Sequence, residues 1–226
     1  MSPPPFFQEY IGAELIYSFV IIVCSLMIYF GTKKLYELSS YNGIKYFRQA
    51  FLFFAIAYFF RSVIKFILIF SDIREIFDFS PRIFGVFALF IFMYFSTMAV
   101  FYLLYSVMWK RWNGSSKKVY LFHVLAFVIS LLTVALRRME FHLIINLLLL
   151  VFVGFVIYVS YKHTRNRKKG RELYTIYFLL FIFWVLNIVD TVVPSFLSTF
   201  KLVIYIVSLA IFMLILYKVL RKSGSG

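Results

Sequence analysis

Four ionisable residues sit inside otherwise apolar runs of this 226-residue chain: Glu14, Arg61, Lys65 and Asp190. Their neighbours are spaced for a helix. Tyr58, Arg61, Ser62 and Lys65 fall at i, i+3, i+4 and i+7, which lays them along one face. Tyr177, Trp184, Asn187 and Thr191 form a second stripe with Asp190 beside it, and Glu14, Tyr17, Ser18 and Ser25 offer a third. Arg61 and Lys65 supply donors only, so a molecule held between these faces would be anionic or carbonyl-bearing. Two cations and two anions can equally neutralise one another, Arg61 with Asp190 and Lys65 with Glu14, and lock helices together. Lys65 can also snorkel to the surface, and a proton relay through the carboxylates is a further use of the same groups.

The elements that carry these residues are long and apolar. Seven stretches, 11–30, 46–70, 83–107, 119–136, 143–161, 173–193 and 202–217, each approach the ~20 residues a helix needs to cross about 30 Å of hydrocarbon. Mean hydropathy is +0.92, and 15% of residues are charged against roughly 25% in soluble domains, too few to cover a water-exposed surface. The run Leu147-Leu148-Leu149-Leu150-Val151-Phe152-Val153 lacks the in–out alternation of a barrel strand, so the spans are helices. The expected fold is all-α: a polytopic membrane protein whose residues 1–222 form one seven-helix transmembrane bundle, with 223–226 as a flexible tail.

Lys and Arg set the orientation. Seventeen of them lie in the first, third and fifth connectors and the C-terminal segment, against five on the other side. Basic short loops stay cytoplasmic, so the N-terminus is expected outside and the C-terminus inside, in a multi-pass protein of the cell membrane. Residues 1–10 have no Lys or Arg and no small-residue cleavage site, so the first span is expected to be retained. In this topology Arg61 lies about 13 Å below the outer end of its span and Lys65 about 8 Å. Glu14, Asp190, Asn187 and Asn146 fall within about two turns of the same side. These six, with Tyr58 and Trp184 on the same stripes, are the expected ligand-binding residues of a wet cavity opening outward.

The net charge of +15 is read as the topology signal rather than a nucleic-acid surface. Basic loops near a membrane also attract anionic lipids, at about 1 kcal/mol per residue. The dense run 162–171 suits a cytoplasmic protein partner. Cys24 is the single cysteine, and His123, His142 and His163 are scattered, so no metal or cofactor is expected. Catalytic templates are missing: no His-Glu-x-x-His, no Gly-x-Ser-x-Gly, no Walker loop. An enzyme is not expected. The seventh span has no internal lysine for the retinal Schiff base of microbial rhodopsins, and the Pro-Gln pair of seven-span sugar transporters is missing.

Two further patterns bear on architecture. Residues 71–81 alternate Asp72, Arg74, Glu75 and Asp78 with Ile73, Ile76, Phe77 and Phe79, as a short interfacial helix would. Gly43, Phe47, Phe51, Leu52 and Phe54 match Gly170, Tyr174, Phe178, Leu179 and Phe181 at one offset, as in transporters of 3+1+3 repeat type. The stretch 35–61, with Gly43-Ile44-Lys45-Tyr46-Phe47-Arg48 leading into Ala50-Phe51-Leu52-Phe53-Phe54, resembles uncharacterised prokaryotic seven-span proteins and seven-span sensor regions. That resemblance covers about one span, carries no functional motif, and implies architecture alone. A receptor- or sensor-like bundle is the first functional reading. A small-solute transporter is the alternative, disfavoured by spans without internal proline. A structural or assembly subunit without a ligand is the third.

Overall fold

Backbone N–H and C=O groups in apolar surroundings must pair within their own segment. Every long apolar stretch is accordingly helical in the computed structural model, which describes residues 5–70, 81–109, 112, 116–136, 139–164, 171–193 and 197–224. Among them are α1 (Pro5–Gly31), α2 (Lys33–Ser39), α3 (Asn42–Phe70), α4 (Pro81–Met108), α5 (Ser116–Leu136), α6 (Met139–Thr164), α7 (Arg171–Val192) and α8 (Ser198–Gly224). All but the short α2 are long and apolar enough to cross a membrane.

These seven pack in sequence order around a ring. Each long helix lies on the next, α3 most extensively on α4, and α8 returns to α1, while α4 also reaches α6. Helices α1 and α8 run side by side in fixed register. Tyr17 stacks on Tyr205 at 4.7 Å, Cys24 Sγ lies 3.7 Å from Met213 Sδ, and Gly31 faces Leu220. The centre is aromatic. Phe51, Phe54, Phe183 and Phe212 are all buried, with ring centroids 5.0 Å apart for Phe183–Phe212 and 6.2 Å for Phe51–Phe212. Outward faces are apolar as well: Phe19, Phe30, Phe59, Val151 and Tyr158 are each more than half exposed. A water-soluble monomer rarely presents so much contiguous apolar surface; a bilayer-embedded one does so on every helix.

The helices outrun the apolar stretches. α3 begins at Asn42 rather than residue 46, and α8 continues through Ser223 and Gly224, which the sequence reading assigns to a tail. Hydropathy marks where apolar residues stop, whereas the hydrogen-bond ladder propagates into the polar flanks. The connector 31–45 holds α2, closed by Ser40 in the left-handed region (φ 48°), whose N–H donates to Tyr36 O. Side chains also cap the end of α1: Arg48 Nε donates to Tyr29 O at 3.0 Å, and Thr32 Oγ1 to Ile28 O at 2.7 Å, a carbonyl that the Thr32 N–H shares at 3.1 Å. The expected interfacial helix at 71–81 lies outside the described residues apart from Pro81, which opens α4. The repeat does not extend to packing, since Phe51 is fully buried and its match Phe178 is exposed; Gly170 lies outside the described residues.

Gly43 lets α3 approach α4 closely. A Cβ there would stand 2.8 Å from the Ser106 carbonyl oxygen and press on the Tyr41 ring. Backbone cannot yield as a side chain can, so Gly43→Ala should destabilise the bundle by about 1–2 kcal/mol. Thermal unfolding in detergent reads this directly; an unchanged midpoint would mean that α3 and α4 can separate there at no cost.

Candidate functional site

The polar stripes of α1, α3 and α7 meet at one end of the bundle. Arg61, projecting from α3, stands between carboxylates of the other two helices. Its Nη2 lies 2.9 Å from Asp190 Oδ2 and 3.2 Å from Glu14 Oε1, and its Nε donates to Glu14 Oε1 at 3.4 Å. One turn on, Lys65 Nζ pairs with the second oxygen of Glu14 at 3.0 Å. The four charges alternate in a chain, Lys65–Glu14–Arg61–Asp190. Glu14 and Asp190 are 1% and 7% exposed, and charges that deep persist only when paired.

Neutral groups complete the network. Asn187 Oδ1 accepts from Arg61 Nη1 at 3.1 Å and from the Tyr58 hydroxyl at 2.8 Å, while its amide donates to Phe183 O within α7. Tyr58 and Tyr17 hydroxyls are 3.3 Å apart. The guanidinium carbon of Arg61 also lies 5.8 Å from the Tyr17 ring centre and 5.6 Å from that of Tyr58, within cation–π range. Nε, Nη1 and Nη2 of Arg61 thus all donate inside the protein. Lys65, by contrast, has one carboxylate partner and a side chain one-third exposed.

Beside this network lies a cavity of about 320 Å³, reached by side chains from α1, α3, α4, α6, α7 and α8. Its charged wall is the chain just described. Its floor is Phe54, Phe183 and Trp184, resting on Phe212. Asn146 from α6 and Lys201 from α8 also line it. Three buried polar atoms here, Trp184 Nε1, Asp190 Oδ1 and Glu14 Oε2, have no hydrogen-bond partner among the described residues, the last meeting Lys65 only as an ion pair.

All eight residues singled out in the sequence line this cavity. Both expected ion pairs form, and Arg61–Glu14 adds a third. Of the other stripe members, Thr191 also lines the cavity, and the hydroxyls of both it and Ser62 are spent on the backbone one turn back, at Asn187 O and Tyr58 O. Contributors outside those eight include Tyr17 in the network and, in the cavity wall, Lys201, Phe54 and Phe183. Tyr17 stands one turn from Glu14 on the same stripe, which was the available signal. Lys201 reads in sequence as a connector charge. His123 lies apart, its Nδ1 2.7 Å from the Tyr94 hydroxyl and its Nε2 3.1 Å from that of Tyr102, so both ring nitrogens are satisfied. The side chains of His142 and His163 lie outside the described residues.

No family model matches the chain, and no solved structure matches it. A protein of Archaeoglobus fulgidus, described as uncharacterized, is 36% identical over 236 aligned positions, covering 97% of this chain and 99% of the relative. The chain belongs to that protein's family. The shared unit in this family is close to the whole chain, so the likeness extends far beyond the single span 35–61. The family carries no stated activity to this chain.

Proposed function

We propose that this protein is a non-enzymatic, receptor- or sensor-like membrane protein that binds a small anionic or polar ligand in the cavity among α1, α3, α4, α6, α7 and α8. In this reading the charged end faces outward. The basic opposite end, with Lys33, Lys34, Lys45, Lys117 and Lys118, faces the cytoplasm, contacts anionic lipids and receives a protein partner. One observation carries the reading: a ligand-sized cavity walled by a buried, ordered charge chain and closed beneath by packed aromatics. A charge chain that only locked helices would need no such space beside it. The lining helices are continuous through the cavity, which suits a rigid site better than the broken helices of transporters.

Thermal unfolding of purified protein across a panel of small anions, neutral polar molecules and cations tests this. Binding raises the midpoint by mass action, and the expected result is stabilisation by anions, lost when Asn146 is replaced by tryptophan to fill the cavity. If no compound shifts the midpoint, the pocket reading falls; uptake of a stabilising compound into proteoliposomes would make the protein a transporter instead. Orientation has its own test. Cysteines placed at Ser115 or Arg167 in a Cys24→Ser background should label only from the cytoplasm, and those at Asp78 or Ser198 only from outside. Reversed labelling would turn the cavity to face the cytoplasm.

A further inference from the structure

At the opposite end of the bundle from the cavity, the half-buried Arg48 of α3 is held in one orientation by α1 and α2. Its Nε donates to Tyr29 O at 3.0 Å. Its guanidinium carbon lies 4.9 Å from the centre of the Tyr29 ring and 5.8 Å from that of Tyr36, within cation–π range of both. Nη1 and Nη2 have no hydrogen-bond partner among the described residues. A fixed planar fork with two unspent nitrogens matches two oxygens of one phosphate. Lys34 on α2 and Lys45, one turn before Arg48, are exposed and have no carboxylate partner among the described residues; Glu37 of α2 is already paired with Lys33 at 3.7 Å.

We propose that this corner is a seat for one anionic phospholipid, its phosphate gripped by Arg48 and its acyl chains lying on the outward side of α3 and α1. Lys45, Arg48, Leu52, Ile56 and Phe59 fall at i, i+3, i+7, i+11 and i+14, a single line along α3. Phe59 is more than half exposed, and so is Phe30 on α1, whose ring meets that of Tyr29 at 5.1 Å. The line is cationic at the end of the helix and apolar beyond it, as a phospholipid is anionic at its head and apolar in its tails. The rings of Tyr29 and Tyr36 suit the headgroup level between them. An acidic peptide would meet the cations and leave the apolar line uncovered. A choline headgroup would set its own cation against Arg48, Lys34 and Lys45, whereas a headgroup without one does not. General attraction of a basic surface to anionic lipid counts charges; a seat depends on the shape of one of them.

The seat rests on the reading of the basic end as the lipid-contacting one and is independent of the cavity. Its test is the unfolding midpoint of full-length protein in detergent micelles, titrated with phosphatidylglycerol, with phosphatidylcholine and with soluble glycerol 3-phosphate. Phosphatidylglycerol should raise the midpoint saturably, half-saturating at a concentration at least about tenfold below that of phosphatidylcholine, and glycerol 3-phosphate should not move it. Arg48→Lys keeps the charge and loses the fork, so it should weaken phosphatidylglycerol about tenfold, whereas Lys117→Gln removes a charge at the same end and should change it less than about twofold. Should Arg48→Lys fail to fold, Tyr36→Leu leaves the Nε bond in place and should weaken the lipid about threefold. Equal action of the two lipids, or no action by either, would overturn the seat. Unchanged affinity in Arg48→Lys, or in Tyr36→Leu where that variant replaces it, would leave general attraction in its place. An equal shift by glycerol 3-phosphate would make this a site for a soluble phosphate. None of these outcomes touches the cavity, which stands or falls with the panel of soluble compounds, and reversed cysteine labelling would move the same lipid to the other leaflet.

Discussion

Arg61→Met should lower stability by about 3–5 kcal/mol, since removing one member of a buried ionic network strands the others. Asp190 loses its ion-pair partner outright, at 2.9 Å, in a position only 7% exposed. Asn187 and Tyr58 each lose one contact, though Tyr58 still donates to Asn187 and Asn187 to Phe183 O. Glu14 suffers less, because Lys65 still holds its other oxygen. Adding Asp190→Leu to Arg61→Met should therefore restore most of the lost stability, leaving Lys65–Glu14 as a complete pair. Buried ion pairs replaced by apolar groups of similar volume are often neutral or better. Thermal unfolding of both single variants and the double variant in one detergent gives the comparison. A double variant as unstable as Arg61→Met would show that Arg61 does more than neutralise Asp190 and Glu14. Because Lys65 and the rest of the cavity lining remain, the proposed site should survive in the folded double variant with weakened affinity.

The charged layer was legible in the sequence for a simple reason. Ionisable residues are so costly in apolar spans that each one stands out, and helical spacing then gives the face. Glu14 near the start of α1, Arg61 near the end of α3 and Asp190 near the end of α7 fall at one level once the chain alternates direction. Spacing does not say which helices touch, so the sharing of Arg61 between α1 and α7 emerged only from the ring packing. Depth already set Lys65, able to snorkel, apart from the deeper Arg61. Their partners sharpen the difference: Arg61 donates to Glu14, Asn187 and Asp190, whereas Lys65 pairs with Glu14. The short α2 was hidden because its seven residues give too few turns for periodicity to register.

The phenylalanines of the floor, unlike Trp184, were illegible for a deeper reason. In a soluble protein, inside and outside differ in polarity, and a hydrophobic stripe reports burial. In these helices both faces are apolar: Phe54, Phe183 and Phe212 face the centre, whereas Phe19, Phe30 and Phe59 face outward. Composition cannot separate the two sets. Burial in such a bundle rests on packing and not on transfer from water, so shape carries the information.

That distinction sets the size of the last effect. Phe212 is fully buried and its ring meets Phe51, Phe54 and Phe183 at 6.2, 6.5 and 5.0 Å. In Phe212→Ala the transfer contribution largely cancels, because the unfolded reference in detergent is itself apolar. The cavity contribution remains, roughly 2–3 kcal/mol at ~24 cal/mol per Å³ for a void the size of the deleted ring. Phe212→Leu should lose much less, since it leaves a smaller void. The variant reaches function through the floor: without Phe212, Phe54 and Phe183 can drop away from Trp184, and of two compounds that stabilise the protein the one with the larger apolar body should gain affinity relative to the smaller. Thermal unfolding gives the first quantity and titration with the larger against the smaller stabilising compound the second. A stability loss with no change in that preference would mean that the floor rests on α3 and α7 alone, and that the centre of the bundle supports the site without shaping it.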